Sequence, residues 1–446
     1  MLMHFKNRGG RAGFAGAPVC CRIQLMRLHR FRALFILLVV FVSSCSIQPS
    51  DAPISTIPSA TPFQPLTENA PDSPYTGAAP TPLNLPTFTP LPPTPTERVI
   101  LPELIPAGVN LPAFTLPKDL NPLTGLPPSD SALMERRPLA IKVANYPRYI
   151  RPQSGLTLAD NVYEYYIEAG LTRFIAIFYG NNSEWVGPVR SGRYFDEHIQ
   201  RMYHAYLVFK FADPRVESHL QTTSDVAPFL VVPSIGSCPP FRLKLDRDIE
   251  VYNNSYFNTL LWEDCVNRNG LENQRQDIRN GFFNESAPSS ELRGTQMFTY
   301  YSADSYHYWL YDRQTKQYVR YQETSGIRDG KEEAYDVLID SVTGEIVHAA
   351  NIVFLLAHHN FSNTFDEEDE VFQIDLTDSG EAYVFRDGVG ILARWLRTNK
   401  DQPLLLISLS GAPIYLRPGI TFYEVLGAAS YVDQDAGEWN FHHATP

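Results

Sequence analysis

The stretch GLTRFIAIFYGNNSEWVGPVRSGRYF, residues 170–195, contains the clearest secondary-structure pattern in the chain. Its apolar and aromatic run at residues 172–180 has the length and composition of a strand, and the NNSE that follows is typical of a turn. Apolar side chains then recur at steps of three and four, which predicts a helix over residues 191–206: Phe195, Ile199, Met202 and Tyr206. We expect a strand–turn–strand–helix unit that belongs to a mixed α/β layer.

The flanking sequence extends this layer. RPLAIKVAN at residues 137–145 predicts a strand, and AYLVFKF at residues 205–211 predicts another strand after the helix. NVYEYYIEAG at residues 161–170 fits either a strand or a short helix, because its apolar positions satisfy both periods. The sequence therefore predicts an N-terminal mixed α/β domain over residues 119–288.

The second half of the chain has a different pattern. Residues 297–322 alternate between apolar and polar positions, are rich in aromatics and contain a Gln-Thr-Lys turn, which predicts a hairpin. Short strand-like segments separated by Gly and Asp turns continue from there to about residue 425. We predict an α+β fold in which the N-terminal mixed α/β domain is followed by a mostly antiparallel β domain over residues 289–430 and a tail over residues 431–446.

The N-terminal residues have the features of a secretory signal. Positive residues precede an apolar run at residues 33–42, which is too short for a bilayer core that needs roughly 20 residues. The run ends in Val-Ser-Ser-Cys, an order typical of bacterial lipoproteins. Residues 1–44 are therefore predicted to be a lipoprotein signal peptide, or a shorter one if translation starts at Met26 and residues 1–25 are an extension. A short transmembrane anchor and an ordinary signal peptide are the alternatives.

Lipid on Cys45 would hold the chain on the outer face of a membrane, because two or more acyl chains attach a protein stably. Residues 45–118 are rich in Pro, Thr and Ser, and sixteen of the 36 prolines lie between residues 46 and 106. Proline disfavours regular helix and sheet, so this segment is predicted to be a disordered tether. The membrane is thus the first expected partner.

The net charge of the chain excludes some classes of partner. Residues 1–44 contain seven Lys or Arg and no Asp or Glu, so their removal takes the formal net charge from −12 to −19. Nucleic-acid binding depends on clustered Lys and Arg, and a body this acidic is a poor candidate for it. The same charge disfavours a body that lies flat on anionic lipid.

Two cysteines remain after Cys45. Outside the cytoplasm, Cys238 and Cys265 are plausible disulfide partners, and two separate buried thiols are the alternative. Two cysteines offer too few ligands for a metal site, and the sequence contains no GxSxG, HExxH, P-loop or GxGxxG motif. We predict neither a metal nor a cofactor.

Several of these stretches together resemble one bacterial family. NPLTGLP at residues 121–127, RPLAIKVAN, RPQSGLTLADNVYEYYIEAGLTRFIAIF and VGPVRSGR are similar to the YerB-like lipoproteins, which carry a two-part domain of unknown function (number 3048). QYVRY, HAANIVFL, ARWLR and GAPIYLRPGITFYEV stand in the order of that family's C-terminal part. The resemblance covers roughly residues 121–425 and implies a cell-surface lipoprotein with no established activity.

The chain departs from the family at two places. KFADPR at residues 210–215 stands where the family tends to have a glycine-containing turn, and Phe422 stands where tryptophan is more usual. The first departure puts in doubt any family function that needs a close backbone approach at that turn.

The opening stretch also brings three arginines together in sequence: Arg173, Arg190 and Arg193. Guanidinium groups bind phosphate or carboxylate in a bidentate way, and the start of a helix favours anions. As one alternative, the arginines are structural braces that pair with nearby carboxylates: Asp160, Glu164 and Glu168. As the other, they bind a ligand, for which a phosphate-bearing envelope molecule is the first candidate.

Two functions follow from these alternatives. The first is a binding or scaffold module for a component of the cell envelope, such as a wall polymer, a lipid-linked precursor or another surface protein. The second is an envelope phosphotransferase or hydrolase in which the three arginines hold a phosphorylated or glycan substrate. In that enzyme, Asp160 or Glu164 would act as the base.

Overall fold

Two large β-sheets and three short α-helices make up the part of the chain that the structure describes. The computed structural model describes residues 117–245, 248–278, 281–361 and 371–444. All of these lie in one compact unit, Thr96–Pro446. The predictions for the signal peptide, for Cys45 and for nearly all of the tether lie outside the described residues. Within the described ranges, no helix is long and apolar enough to cross a bilayer.

The first part of the chain supplies eight strands: β1 (Leu139–Ala144), β2 (Asn161–Tyr166), β3 (Thr172–Phe178), β4 (Tyr206–Val208), β5 (Leu230–Val231), β6 (Phe241–Leu243), β7 (Ser255–Phe257) and β8 (Phe282–Phe283). The described α-helices are α1 (Phe195–Tyr203), α2 (Pro214–Thr222) and α3 (Trp262–Asn269). Single 3-10 turns occupy Ser131–Glu135, Arg148–Ile150, Leu156–Leu158, Glu168–Gly170, Ala227–Phe229, Val251–Asn253, Thr259–Leu261 and Arg328–Gly330.

The second part supplies the remaining strands: β9 (Gln296–Ser302), β10 (Ser305–Asp312), β11 (Gln317–Glu323), β12 (Tyr335–Val337), β13 (His348–Ala349), β14 (Asn351–Phe361), β15 (Phe372–Asp375), β16 (Asp378–Arg386), β17 (Val389–Arg397), β18 (Leu405–Ser408), β19 (Tyr415–Leu416), β20 (Thr421–Gly427), β21 (Tyr431–Asp435) and β22 (Glu438–His442).

Strand β3 and helix α1 form where the opening stretch predicts them. Helix α1 is shorter than expected: it starts at Phe195, buries one apolar face and ends where His204 takes a left-handed conformation. The expected second strand is absent from the residues described between β3 and α1, which make only isolated bridges such as Val143 with Val189. The ambiguous segment at residues 161–170 forms strand β2, because its side chains pack on both faces of a buried sheet.

An eleven-stranded sheet runs through the centre in the order β18-β17-β16-β14-β20-β2-β3-β1-β4-β5, with β15 paired to β14. Neighbours β1, β3 and β2 are antiparallel, whereas β1, β4 and β5 are parallel. Strand β2 also pairs in parallel with β20 from the far end of the chain. The central sheet is therefore built from both halves of the sequence.

A seven-stranded sheet follows the order β12-β11-β10-β9-β22-β21, with β13 paired to β11. The hairpin expected over residues 297–322 is present as three consecutive antiparallel strands, β9 to β11. The expected tail at residues 431–446 instead forms the hairpin β21–β22, and β22 pairs in parallel with β9. Buried Trp439 and Phe441 alternate along β22, and this pattern holds the segment on the sheet.

The β-rich character of the α+β prediction is confirmed, but the layout is not. An N-terminal α/β domain followed by a separate β domain would keep the strands of each half in their own sheet. Instead β20 inserts between β2 and β14, so the two halves share one sheet. The reason is that β2 and β20 are both buried along their whole length, and each covers the edge of the other. The boundaries at residues 119–288 and 289–430 stay predictions.

The two sheets pack on each other through a common core. Trp309 of β10 lies edge-on against Phe422 of β20, with ring centroids 4.8 Å apart. Phe354 of β14 stacks on Phe441 of β22 with centroids 3.6 Å apart. Strands β2 and β3 therefore have the second sheet on one face and helix α1 on the other, and each face carries a cluster of charged residues.

Candidate functional site

The three arginines of the opening stretch lie together on the face of the central sheet that α1 covers. Arg173, near the start of β3, stands opposite Tyr165 of β2 and Ala144 of β1. Arg190 and Arg193 lie in the segment that precedes α1, where the backbone N–H of Arg190 donates to the carbonyl of Lys142. We call Arg173, Arg190 and Arg193 the arginine cluster.

Electrostatics shows that the three guanidinium groups are near one another. Burial, together with the positive charges of Arg193 and Arg190, lowers the pKa of Arg173 to about 9. Burial and the charge of Arg193 likewise lower the pKa of Arg190. The three positive charges are therefore close enough in space to act on one another.

Arg193 is held as a brace. Its Nε donates to Glu168 Oε2 at 2.8 Å, its Nη2 contacts Glu168 Oε1, and its Nη1 donates to the carbonyl of Gly192. Burial alone would raise the pKa of the Glu168 carboxyl, but Arg193 outweighs burial and holds that pKa below its usual value. For this one arginine, the structural alternative is realised.

Arg173 and Arg190 are different, because no carboxylate among the described residues pairs with either. Arg173 is only 6% exposed, and one nitrogen donates to the carbonyl of Thr172 at 3.0 Å. Its Nε is buried without an acceptor, as is the Nε of Arg190. A buried charge without a paired carboxylate is costly, so these two groups have unused capacity to bind an anion.

A buried lysine lies beside the cluster. Lys142 Nζ donates to Asp196 Oδ1 at 2.9 Å and contacts the Tyr165 hydroxyl, which itself donates to Asp196 Oδ1 at 2.6 Å. Burial lowers the pKa of Lys142 to about 8, although Asp196 opposes that change. Asp196 also accepts from the backbone N–H of Arg193, so this group orients the segment that carries the arginines.

Lys142 is a functional candidate that the sequence reasoning missed. The available signal was a lysine in the middle of the apolar run RPLAIKVAN, where a strand buried on both faces has no solvent for a charge. Its partners Tyr165 and Asp196 lie 23 and 54 residues away in sequence, so the pattern alone gave no partner.

The two carboxylates proposed as a base lie elsewhere. Asp160 precedes β2 at the end opposite Arg173, about 16 Å away along the strand. Its Oδ1 accepts from Asn121 and its Oδ2 accepts from the backbone N–H of Gly180. Burial raises the pKa of Asp160 to about 6, although these hydrogen bonds oppose the rise. Asp160 therefore fastens two loops and does not reach the arginine cluster.

Glu164 points to the opposite face of the sheet. It stands between Tyr163 and Tyr165 on β2, and alternate side chains of a strand face opposite sides. Its Oε2 accepts from Arg320 Nη2 at 2.6 Å, and its Oε1 accepts from the Thr172 hydroxyl at 2.6 Å and from Asn145 Nδ2 at 3.0 Å. Glu164 is thus a member of a second charged cluster.

This second cluster lies between the two sheets, and we call it the inter-sheet cluster: Glu164, His307, Trp309, Arg320 and Glu424. Glu164 and Glu424 are direct neighbours on β2 and β20. Arg320 Nη1 lies 3.3 Å from Glu424 Oε1, and His307 Nε2 and Trp309 Nε1 donate to the same oxygen at 3.0 Å and 2.9 Å. Burial would raise the pKa of Glu424, but His307 and Arg320 outweigh burial and lower it.

The inter-sheet cluster has some of the features of a metal site. Glu164, His307 and Glu424 place potential ligand atoms within 4.8 Å of one another. However, Arg320 already supplies a positive charge to both carboxylates, and all five side chains are buried. The arrangement therefore works as an internal ion pair network that joins the sheets.

The cysteines form a bridge. Cys238 and Cys265 are joined with their Cα atoms 5.4 Å apart, which ties the loop after β5 to helix α3. The alternative of two separate thiols is not what the structure contains.

Two consecutive parts of the chain match one family. Residues 123–264 match the "Protein of unknown function (DUF3048) N-terminal domain", and residues 297–423 match the corresponding C-terminal domain. The chain belongs to the family that this two-part domain defines, which confirms the resemblance seen in its motifs.

A protein of Bacillus subtilis (strain 168) named "Putative lipoprotein YerB" is 27% identical over 281 residues, which are 62% of this chain and 78% of that protein. The crystal structure of the YerB protein from Bacillus subtilis is similar with a TM-score of 0.57 and 24% identity, covering 69% of this chain and 96% of that one. This second likeness shows that the fold is shared.

Proposed function

We propose that this protein is a lipoprotein of the cell surface whose folded part binds a phosphate-bearing component of the envelope at the arginine cluster. The relative's name and the Val-Ser-Ser-Cys order support a lipid on Cys45 and a location on the outer face of the membrane. The composition of residues 45–118 supports a tether between that lipid and the folded part.

The observation that carries the binding function is the pair of uncompensated guanidinium groups. Arg173 and Arg190 have buried Nε donors without acceptors in a chain of formal net charge −12 that could have supplied carboxylates. Folding leaves them with excess positive charge, which a phosphate would neutralise through charge-assisted hydrogen bonds. Arg193 and Glu168 position this pair and define one edge of the site.

The geometry favours binding over catalysis. An enzyme that used Asp160 or Glu164 as a base would need that carboxylate within hydrogen-bond reach of the bound anion. Asp160 is engaged at the far end of β2, and Glu164 is engaged with Arg320 on the other face. We therefore propose a binding module, with neither carboxylate in a chemical role.

Calorimetric titration with inorganic pyrophosphate tests this function. The chain from residue 46 onward, which contains the whole compact unit, should bind pyrophosphate at one site. Arg190→Ala should weaken binding by about tenfold, since one charged hydrogen-bonding partner contributes roughly 1.5 kcal/mol or more. Arg275→Ala is the matched control, because Arg275 pairs with Glu135 at the surface, away from the cluster. Equal affinities for the two variants would contradict the proposal.

The proposed lipid anchor on Cys45 can be tested separately. Cys45→Ala should move the protein from the membrane fraction to the soluble fraction when the two fractions are separated and probed. A protein that stays with the membrane after this change is not held by lipid on Cys45.

A further inference from the structure

Four exposed apolar or aromatic side chains lie near Arg190, and we call them the apolar rim: Tyr149, Phe211, Val251 and Tyr252. Phe211 is 63% exposed and Val251 is 64% exposed. Both tyrosines are more than half exposed as well. Isolated exposed apolar residues are ordinary, but four large ones at one place mark an interaction surface.

Direct contacts connect the rim to Arg190. The Arg190 guanidinium lies over the Tyr252 ring, 5.9 Å from its centroid. The carbonyl of Arg190 accepts from the backbone N–H of Lys210, and Lys210 Nζ lies over the ring of Phe211 at 5.2 Å. Lys210 Nζ also donates to the carbonyl of Val251 at 3.2 Å. The rim and the cations therefore form one continuous surface.

The conformation of Phe211 makes its exposure notable. Its φ is +64°, in the left-handed region that is unfavourable for a bulky residue. The backbone of this turn is fixed, because the Phe211 carbonyl accepts from Gly192 just before α1. The fold thus holds an aromatic ring in solvent at an energetic cost, beside Lys210.

The apolar rim and the cations beside it are arranged in layers. Apolar groups stand outermost, and cations lie behind them: Lys210 and Arg190 at the rim and Arg173 at the buried end. A phospholipid at a bilayer surface has the complementary order, with a phosphate in the head-group layer and hydrocarbon close by. Its phosphate would meet the arginines while the rim enters the apolar boundary.

We propose that the arginine cluster and the apolar rim together dock this protein onto the lipid head groups of the membrane to which it is anchored. This inference rests on the proposed function and names the source of the phosphate.

The overall acidity of the chain does not prevent this contact. At physiological salt the Debye length is about 8 Å, so a local group of cations dominates over acidic residues on other faces. Glu168 near this surface pairs with Arg193, whereas Glu250 accepts from the Tyr149 hydroxyl at 2.9 Å and keeps its negative charge. Asp213 pairs with Arg215 at the start of α2.

The length of the chain before the folded part also allows docking. Seventy-one residues separate Cys45 from Pro117, the first described residue, and a chain of this length reaches at most about 230 Å. The anchor therefore leaves every face of the folded part able to reach the bilayer, and the docking surface selects one orientation.

Co-sedimentation with vesicles tests the inference, using the unlipidated chain from residue 46 onward. This chain should bind vesicles of equimolar phosphatidylcholine and phosphatidylglycerol. Phe211→Ser combined with Val251→Ser should weaken binding by about tenfold or more, since both side chains lose apolar burial. Arg190→Ala should weaken it by about fivefold, and high salt should weaken it too. Leu409→Ser is the control, because Leu409 is equally exposed in another turn.

A parallel titration with inorganic pyrophosphate separates this inference from the proposed function. The Phe211 and Val251 double variant should bind pyrophosphate as the wild-type chain does. Pyrophosphate binding without vesicle binding would overturn the docking inference and leave the proposed function intact. Vesicle binding that the double variant retains in full would also overturn it. A chain that binds neither probe would overturn both.

Discussion

The two charged clusters lie on opposite faces of the same pair of strands, and they differ in charge balance. In the inter-sheet cluster, two carboxylates share Arg320, and every side-chain polar atom has a partner. In the arginine cluster, the carboxylate of Glu168 pairs with Arg193, and the Nε donors of Arg173 and Arg190 have no acceptor. Both are largely buried, so burial alone does not separate the two clusters. We propose that the unpaired charge makes the arginine cluster a binding site.

The largest loss of stability should follow from removing Arg320 from the inter-sheet cluster, whose charges are balanced. Arg320→Met removes the one cation that bonds to both Glu164 and Glu424 and leaves these buried carboxylates with His307 alone, so we expect a loss of about 3–5 kcal/mol in the free energy of unfolding. Urea unfolding measures it. Arg328→Met is the control, since Arg328 is exposed and pairs with Asp304, and it should cost less than about 1 kcal/mol. Equal losses would mean that the inter-sheet cluster is not what joins the sheets.

A pH change should act on three largely buried histidines. Burial lowers the pKa of His198, His359 and His443 from 6.5 to about 4, 4 and 3, respectively. Between these values and 6.5 the unfolded chain binds more protons, so the free energy of unfolding falls as the pH falls. Each histidine should cost about 2 kcal/mol between about pH 7 and about pH 5. Glu424 keeps its charge over this range because its pKa is lowered.

The variant His443→Asn tests how much of this pH dependence of stability comes from His443. The side-chain oxygen of asparagine can replace His443 Nδ1 as the acceptor for the backbone N–H of Gly427, but it does not titrate. Urea unfolding at both pH values should show a difference smaller than wild type by about 2 kcal/mol. An unchanged pH dependence in His443→Asn would contradict the assignment.

A smaller effect, on pyrophosphate affinity, should follow when the negative charge of Glu168 is removed from the arginine cluster. Glu168→Gln removes the one carboxylate that pairs with Arg193 and leaves a side chain of the same shape. Pyrophosphate affinity should rise by about fivefold, because one nearby negative charge contributes about 1 kcal/mol in a solvated site. Calorimetric titration measures it, with Glu135→Gln at the Arg275 surface pair as the control. A fall in affinity would show that Arg193 needs its brace in order to bind.

The smallest change in stability should come from Arg173, the counterpart of Arg320. Arg173→Met removes a buried charge that has no counter-ion, so the free energy of unfolding should stay within about 1 kcal/mol of wild type or rise. Urea unfolding without phosphate is the measurement. A loss as large as that of Arg320→Met would show that Arg173 is structural, and the contrast between the two clusters would fail.

The sequence predicted the arginine cluster because its members lie within 21 residues and flank a strand and a helix that local patterns reveal. It did not predict the inter-sheet cluster. Glu164 and Arg320 are 156 residues apart, and His307 and Glu424 are 117 apart. The pairing of β2 with β20 joins the two carboxylates, and the packing of the second sheet on this pair adds Arg320 and His307. The same pairing explains why the two halves do not form separate layers. A local pattern shows that a strand is buried on both faces but not which strand covers it.

The most direct test of the account is the free energy of unfolding as a function of phosphate concentration, in the wild-type chain and in Arg173→Met. A ligand that binds only the folded state adds RT ln(1 + [L]/Kd), about 1.4 kcal/mol for each tenfold rise in concentration above Kd. We predict that phosphate stabilises the wild-type chain in this way and leaves Arg173→Met unchanged. Equal stabilisation of both chains, or of neither, would contradict the claim that unpaired arginines on this face bind an anion.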